Sequence, residues 1–374
     1  VTITTGPTTG PTTGPATGPA TGPQAIRTTV DPSFELRLIE AIRPISEHFL
    51  AVGIHHLFDT GIYDALAGRP AVPIPVLAGE LAMDVDRLRG FLLYLANEDI
   101  VQVADDRVAL TAKAAGLNEF RAWYTFLIGG YAGTIQQIGG ALTRGAPDCT
   151  RNGEYVGVGS CEISRYDGMP MTLDLLEKGG VSARELLDLG CGNALYLTEF
   201  AKAVPGLRAW GVEPDADGYR AALSLVEREG MADRVRLVHA SATDFLRHPP
   251  QDCRPDLIVL GYVLQEILAQ EGEEAVLELL RGIITRFPRI NVVVIEVSDE
   301  IGNPAVMRHG VARNFWNPYF LIHYFTRQRL ARKDYWDELF RRAGLSVAAF
   351  TSTDPRIDSS GVELGYLLRG PAYH

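Results

Sequence analysis

The chain has 374 residues, 46% of them hydrophobic and 22% charged, which fits a soluble globular protein of two folded units and a tail. Its formal net charge of −11 argues against nucleic acid as an extended partner, because phosphate binding needs a basic footprint. Four cysteines (Cys149, Cys161, Cys191, Cys253) lack C-x-x-C spacing and read as reduced thiols. No charge-free apolar run reaches the roughly 18 residues of a membrane span, and no apolar signal core opens the chain, so a cytoplasmic location is expected.

Residues 1–28 repeat Thr-Thr-Gly-Pro and Ala-Thr-Gly-Pro, a composition that predicts a disordered tail. Residues 29–117 read as a helical, winged-helix-like dimerisation domain. Leu36, Ile39, Ile42, Ile45, Phe49 and Leu50 recur at three- and four-residue spacing, predicting a helix from Phe34 to about Ala67 with a kink at Pro44. One small domain cannot cover that much apolar face, so a homodimer is expected. The adjacent His55 and His56 diverge by about 100° on a helix, so at most one is expected to enter any site, and a core or interface role is favoured over metal ligation. Two short helices follow, the second capped at Asp84-Val-Asp86, and then a hairpin of Ile100–Val103 and Val108–Leu110. That order outlines a winged helix. Asp84, Asp86, Glu98 and Asp99 surround its second helix, which suits a dimerisation and lid module better than a phosphate-facing surface.

Residues 118–180 are aromatic- and glycine-rich and are expected to act as linker and substrate lid, with Tyr131, Tyr155, Glu162, Arg165 and Tyr166 as candidate substrate residues. From 181 to 374 the pattern is α/β, a doubly wound Rossmann-like domain. Strands are expected at 185–189, 207–213, 235–238, 257–260 and 292–295, with an antiparallel pair at 345–351 and 362–368. The first strand ends in Asp188-Leu-Gly-Cys-Gly192, a turn that needs glycine where the backbone bends and a ligand approaches. It is not a dinucleotide fingerprint, since Leu195 stands where the third glycine would fall. Glu213 ends the second strand about 20 residues on, suited to a ribose diol. Asp-Leu-Gly-Cys-Gly, Val212-Glu-Pro-Asp215 and Ala240-Ser-Ala-Thr-Asp244 together resemble the S-adenosylmethionine (SAM) motifs of class I methyltransferases. The resemblance implies cofactor contacts from Asp188, Gly190, Cys191, Gly192, Glu213, Pro214, Ser241, Ala242 and Thr243.

The methyl acceptor is expected beyond the fourth strand, at Gly261-Tyr-Val-Leu-Gln-Glu266. The winged helix, the glycine loop and this segment resemble the small-molecule O-methyltransferases, in which a histidine base stands where this chain has Gln265. Glutamine cannot take a proton near neutral pH, which weakens a base-driven O-methylation. Glu162-Ile-Ser-Arg-Tyr166, Gly129-Gly-Tyr131 and Phe320-Leu-Ile-His323 resemble a narrower group, the 2-oxo acid β-C-methyltransferases of phenylpyruvate and 2-ketoarginine type, with a role in natural-product biosynthesis. There a bound metal chelates the substrate's carboxylate and keto oxygen; one ligand position aligns with His323 and the other with Gln265. Independently, β-methylation of a 2-oxo acid requires removing a C–H proton and holding an enolate, which a transition metal (zinc or iron) stabilises by several kcal/mol. His323, Gln265 and a carboxylate from Glu266 or Glu296 could supply ligands, with Glu266 alternatively the base. Two other readings compete: an O-methyltransferase of a small hydroxylated metabolite using Glu266 or a tyrosine as base, and a winged-helix regulator that senses SAM.

Overall fold

The first helix, α1 (Phe34–Asp59), runs on through Pro44 and stops where Gly61 turns left-handed at φ 78°. A second short helix, α2 (Ile62–Leu66), completes the segment expected as one. The computed structural model describes residues 31–373, so the tail expected over 1–28 lies outside the described residues. The chain divides into two compact units between Phe49 and Leu50. The first holds the front of α1, with Leu36, Ile39, Ile42, Ile45 and Phe49 exposed along it.

In the second unit the end of α1 and α2 lead into the winged helix. A strand of two residues, β1 (Val72–Pro73), precedes α3 (Ile74–Glu80) and α4 (Val85–Asn97). Asp84 caps α4 through backbone amides of Asp86 and Arg87 at 3.1 and 2.9 Å, as its place before the apolar run predicts. Strands β2 (Val101–Ala104) and β3 (Arg107–Leu110) form the hairpin around Asp105-Asp106, and β1 joins β3 on its other side. The strand at 72–73 carries no alternating pattern and is missed in the sequence.

Helices fill 112–179: α5 (Ala112–Leu117), α6 (Arg121–Tyr124), α7 (Gly130–Ala141), α8 (Gly153–Ile163) and α9 (Gly168–Gly179). A π-helical turn, Thr125–Gly129, joins α6 to α7. The α/β region then alternates β4 (Glu185–Leu189), α10 (Leu195–Ala203), β5 (Arg208–Glu213), α11 (Ala216–Arg228), β6 (Val235–His239), α12 (Ala242–Arg247) and β7 (Leu257–Gly261). After it come α13 (Leu264–Gln270), α14 (Glu273–Arg286), β8 (Asn291–Val297), α15 (Pro304–Met307), α16 (Asn317–His323), α17 (Lys333–Arg342), β9 (Ser346–Thr351) and β10 (Glu363–Arg369). The sheet order is β6-β5-β4-β7-β8-β10-β9, parallel through β8 and antiparallel at β10 and β9.

Every residue of β4 and β8 is buried, as expected of parallel strands covered on both faces. Leu187, Leu189, Ile258 and Leu260 pack on α12, α13, α14 and α17, while Leu186 and Val259 pack on α9, α10 and α11. A further cluster, Phe126, Tyr131, Trp316, Tyr319 and Phe320, joins the helical stretch before β4 to α16. The strand order reverses between β4 and β7, and the loops after these two strands frame the crevice where α/β sheets bind ligands.

Candidate active site

At the first loop Gly190 has φ 96°, and a Cβ there would lie 2.6 Å from Val263 Cγ2, so only glycine lets the loop after β4 pass the loop after β7. Glu213 closes the mouth. Its carboxylate accepts the amides of Gly192 and Asp215, both at 2.8 Å. Burial pushes Glu213 up, opposed by these two amides. Asp188 is pushed to about 8, first by burial and then by the charge of Glu213. Two buried carboxylates facing one crevice fit a ligand that carries positive charge. Ser241 caps α12, its hydroxyl accepting the Asp244 amide at 3.1 Å, so Ala242 and Thr243 form the first helical turn beyond β6. His239 at the end of β6 bonds the Pro214 carbonyl through Nε2 at 3.0 Å and stacks on Tyr219.

A second polar centre lies beyond β7. Tyr262 takes φ 59°, a left-handed conformation costly for a bulky residue and characteristic of functional sites. It hands the chain to α13, whose first amide, Leu264 N–H, donates to Glu296 Oε1 at 2.8 Å. Burial drives Glu296 to about 8, and its Oε2 has no partner. Gln265, also buried, has an unpartnered Oε1. His323 stacks on Tyr319 with ring centroids 3.9 Å apart. Its Nδ1 donates to the Tyr319 carbonyl at 2.7 Å, an assignment forced because a carbonyl only accepts. Burial lowers His323 to about 3, so the ring is neutral and its Nε2 presents a lone pair with no partner.

Arg151 completes this centre. It sits on the loop between α7 and α8, pinned by Cys149 N–H to the Phe325 carbonyl at 2.7 Å and Asn152 N–H to the Gly130 carbonyl at 2.9 Å. One guanidinium nitrogen, Nη2, meets Glu266 Oε1 at 2.7 Å, while buried Nη1 has no partner. Gln328 Nε2 donates to the same Glu266 oxygen at 3.2 Å, and Gln328 Oε1 accepts from Tyr131 at 3.3 Å. One guanidinium nitrogen and three acceptor atoms, each buried without a partner, are ready-made contacts for a polar ligand.

A methyltransferase-domain family matches residues 186–300. The 2-ketoarginine methyltransferase of Streptomyces arginensis is 40% identical over 343 residues, covering 91% of this chain and 98% of that one. The chain belongs to the class I SAM-dependent methyltransferases. Solved methyltransferases share its fold at low identity. N,N-8-amino-8-demethyl-D-riboflavin dimethyltransferase of Streptomyces davawensis matches with TM-score 0.61 and 17% identity, over 90% of this chain and 99% of that one. Human N-acetylserotonin methyltransferase, solved with SAM, matches with TM-score 0.63 and 13% identity, over 92% of this chain and 99% of that one.

Of the five residues expected to line the methyltransferase's substrate wall, Tyr131 alone lies in the second centre. Tyr155 donates to Asp59 Oδ1 at 2.7 Å, which with burial raises it to about 12. Glu162 and Arg165 pair with each other at 2.8 Å, and Tyr166 donates to the Glu119 carbonyl at 3.2 Å. Arg151, Tyr319 and Gln328 are absent from the sequence-based candidates, since none stands in a motif and only the fold joins them to Gln265 and His323. Among the described residues no helix is long and apolar enough to cross a membrane.

Proposed function

We propose that this methyltransferase moves the SAM methyl group to the β-carbon of an amino-acid-derived 2-oxo acid. The observation that carries the reading is the second centre, where Arg151 Nη1, His323 Nε2, Gln265 Oε1 and Glu296 Oε2 are buried without partners. The 40% identical relative, named for 2-ketoarginine, supports it.

Arg151 anchors the substrate carboxylate by a charge-assisted hydrogen bond, held in place by Glu266 and Gln328. The donor set of one neutral imidazole, one carboxylate and one amide oxygen fits a divalent or trivalent transition metal such as zinc or iron. When bound by His323, Gln265 and Glu296, such an ion supplies positive charge against the enolate oxygens. Glu266, whose Oε1 is engaged, takes the β-proton on Oε2. The β-carbon then attacks the sulfonium methyl, giving S-adenosylhomocysteine and the β-methyl 2-oxo acid, and Glu266 returns its proton to water.

Between a guanidinium and a phenyl tail, Asp167 and Glu363 favour the guanidinium. Glu363 takes the Tyr262 hydroxyl at 2.7 Å and the Thr353 hydroxyl, and Asp167 lies within hydrogen-bonding reach. Burial, together with neighbouring carboxylate charge, holds both acids above their usual range. A cationic tail relieves that cost and an aromatic tail does not. The exposed stripe Leu36–Phe49 supports a homodimer as the working assembly.

The test is a SAM-consumption screen over arginine-, phenylalanine-, leucine- and valine-derived 2-oxo acids, with and without chelator, on wild type and His323→Ala. Turnover of the arginine-derived acid, lost on chelation and in the variant while SAM affinity holds, is expected. Full activity after exhaustive chelation, or normal turnover by His323→Ala, removes the metal and promotes O-methylation of a hydroxylated metabolite.

A further inference from the structure

Outside the catalytic centre, three metal-ligating side chains gather at the end of α1. One ligand atom each from His55, His56 and Asp59 lies within 4.8 Å of the others. Adjacent helical positions start about 100° apart, yet the two imidazoles swing together to a ring-centroid distance of 5.2 Å. Rotation about the side-chain bonds thus overcomes the divergence of the Cβ directions on which the sequence-based expectation rested.

The three differ in exposure in a way that suits a site. His55 is buried against the π-helical turn; a Cβ on Gly129 would lie 2.8 Å from its Cε1 and 2.9 Å from Tyr155 Cγ. Glycine at 129 is what lets the imidazole and the Tyr155 ring approach the turn, and π-helical turns cluster at functional sites. His56 and Asp59 are exposed and free to close on an ion from solvent. Asp59 is oriented from outside: its Oδ1 accepts the Tyr155 hydroxyl at 2.7 Å, leaving Oδ2 open. A ligating carboxylate held by an outer hydrogen bond is a recurrent feature of metal sites.

We propose that His55, His56 and Asp59 form a second metal site, taking a divalent first-row transition ion of the zinc class with water in the remaining position. Two imidazoles and a carboxylate are the donor set such ions prefer, and magnesium or calcium would call for oxygen donors alone. The bound ion ties the end of α1 to α8 through Asp59 and Tyr155. It stands apart from the ion proposed at His323.

The experiment is titration of untagged, chelator-stripped full-length protein with Zn2+ by calorimetry, in wild type, His56→Ala, Asp59→Asn and His323→Ala. One equivalent that disappears in His56→Ala and weakens at least tenfold in Asp59→Asn, yet persists in His323→Ala, is expected. Because His56 and Asp59 are exposed, circular dichroism and SAM affinity of both variants should match wild type. Unchanged Zn2+ stoichiometry and affinity in His56→Ala overturns the site. Failure of the catalytic-metal reading looks different: a single equivalent in wild type, insensitive to His323→Ala and abolished by His56→Ala.

Discussion

Replacing Arg151 by Gln tests how the acceptor site holds its substrate. Arg151 keeps one nitrogen on Glu266 at 2.7 Å and leaves the other buried and unpartnered, so the variant removes a prepared contact and spares the loop bonds at Cys149 and Asn152. A hydrogen bond to a charged group contributes about 1.5–3 kcal/mol, so kcat/KM for the 2-oxo acid should fall roughly 10- to 150-fold. Most of the loss should appear in KM, because the carboxylate is bound alike in ground and transition states. Initial rates of S-adenosylhomocysteine formation supply kcat/KM, and calorimetry supplies the SAM Kd, which should stay near wild type. Since the change also frees Glu266, the control is the substrate's methyl ester: the variant should treat acid and ester nearly alike, while wild type prefers the acid. An equal drop for acid and ester, or a parallel loss of SAM affinity, refutes the anchoring role.

At the cofactor mouth, Glu213→Ala should weaken SAM binding by roughly 1–3 kcal/mol, and unchanged affinity by calorimetry would show that the carboxylate does not reach the ribose. Asp188 is raised in the folded chain from 3.8 to about 8, so its stabilising contribution is complete below pH ~4 and is lost as pH rises through 8. Unliganded protein should therefore lose stability across that window, with a ceiling on the order of 5 kcal/mol, and Asp188→Asn should flatten the slope in urea melts. Leu36→Glu with Ile45→Glu, on the exposed face of α1, should convert a dimer to monomer in light scattering at micromolar concentration. A monomeric wild type would end that reading.

The sheet was legible because its strands are short apolar runs bounded by turns, and burial on both faces leaves little choice of residue. The 185–189 strand matches its expected limits, and the other strands differ by a residue or two. The 118–180 stretch was less legible. Its glycines and aromatics suggest a linker without marking its elements, yet it is largely helical, because tertiary contacts such as Phe126 against Tyr131 and Tyr319 supply what local propensity lacks. The two-residue strand at 72–73 is fixed wholly by its pairing with β3.

Cofactor and acceptor halves of the site differ for a physical reason. Binding at the glycine loop depends on backbone conformation, and the need for positive φ at Gly190 and Gly192 writes itself into residue identity at fixed spacing. Acceptor chemistry depends on side chains whose neighbours lie far along the chain. Arg151 meets Glu266 across 115 positions, and Tyr131 meets Gln328 across 197. No local pattern records such a meeting. His323 could be singled out from its segment, but its neutral state and open Nε2 follow from the Tyr319 carbonyl and from burial, neither of which the sequence displays. Gln265 at first suggests a loss of function, since it cannot act as a base. Placed on the first turn of α13 beside Glu296, with its amide oxygen buried and unpartnered, it fits a binding role instead, and in the proposed mechanism proton removal passes to its neighbour Glu266.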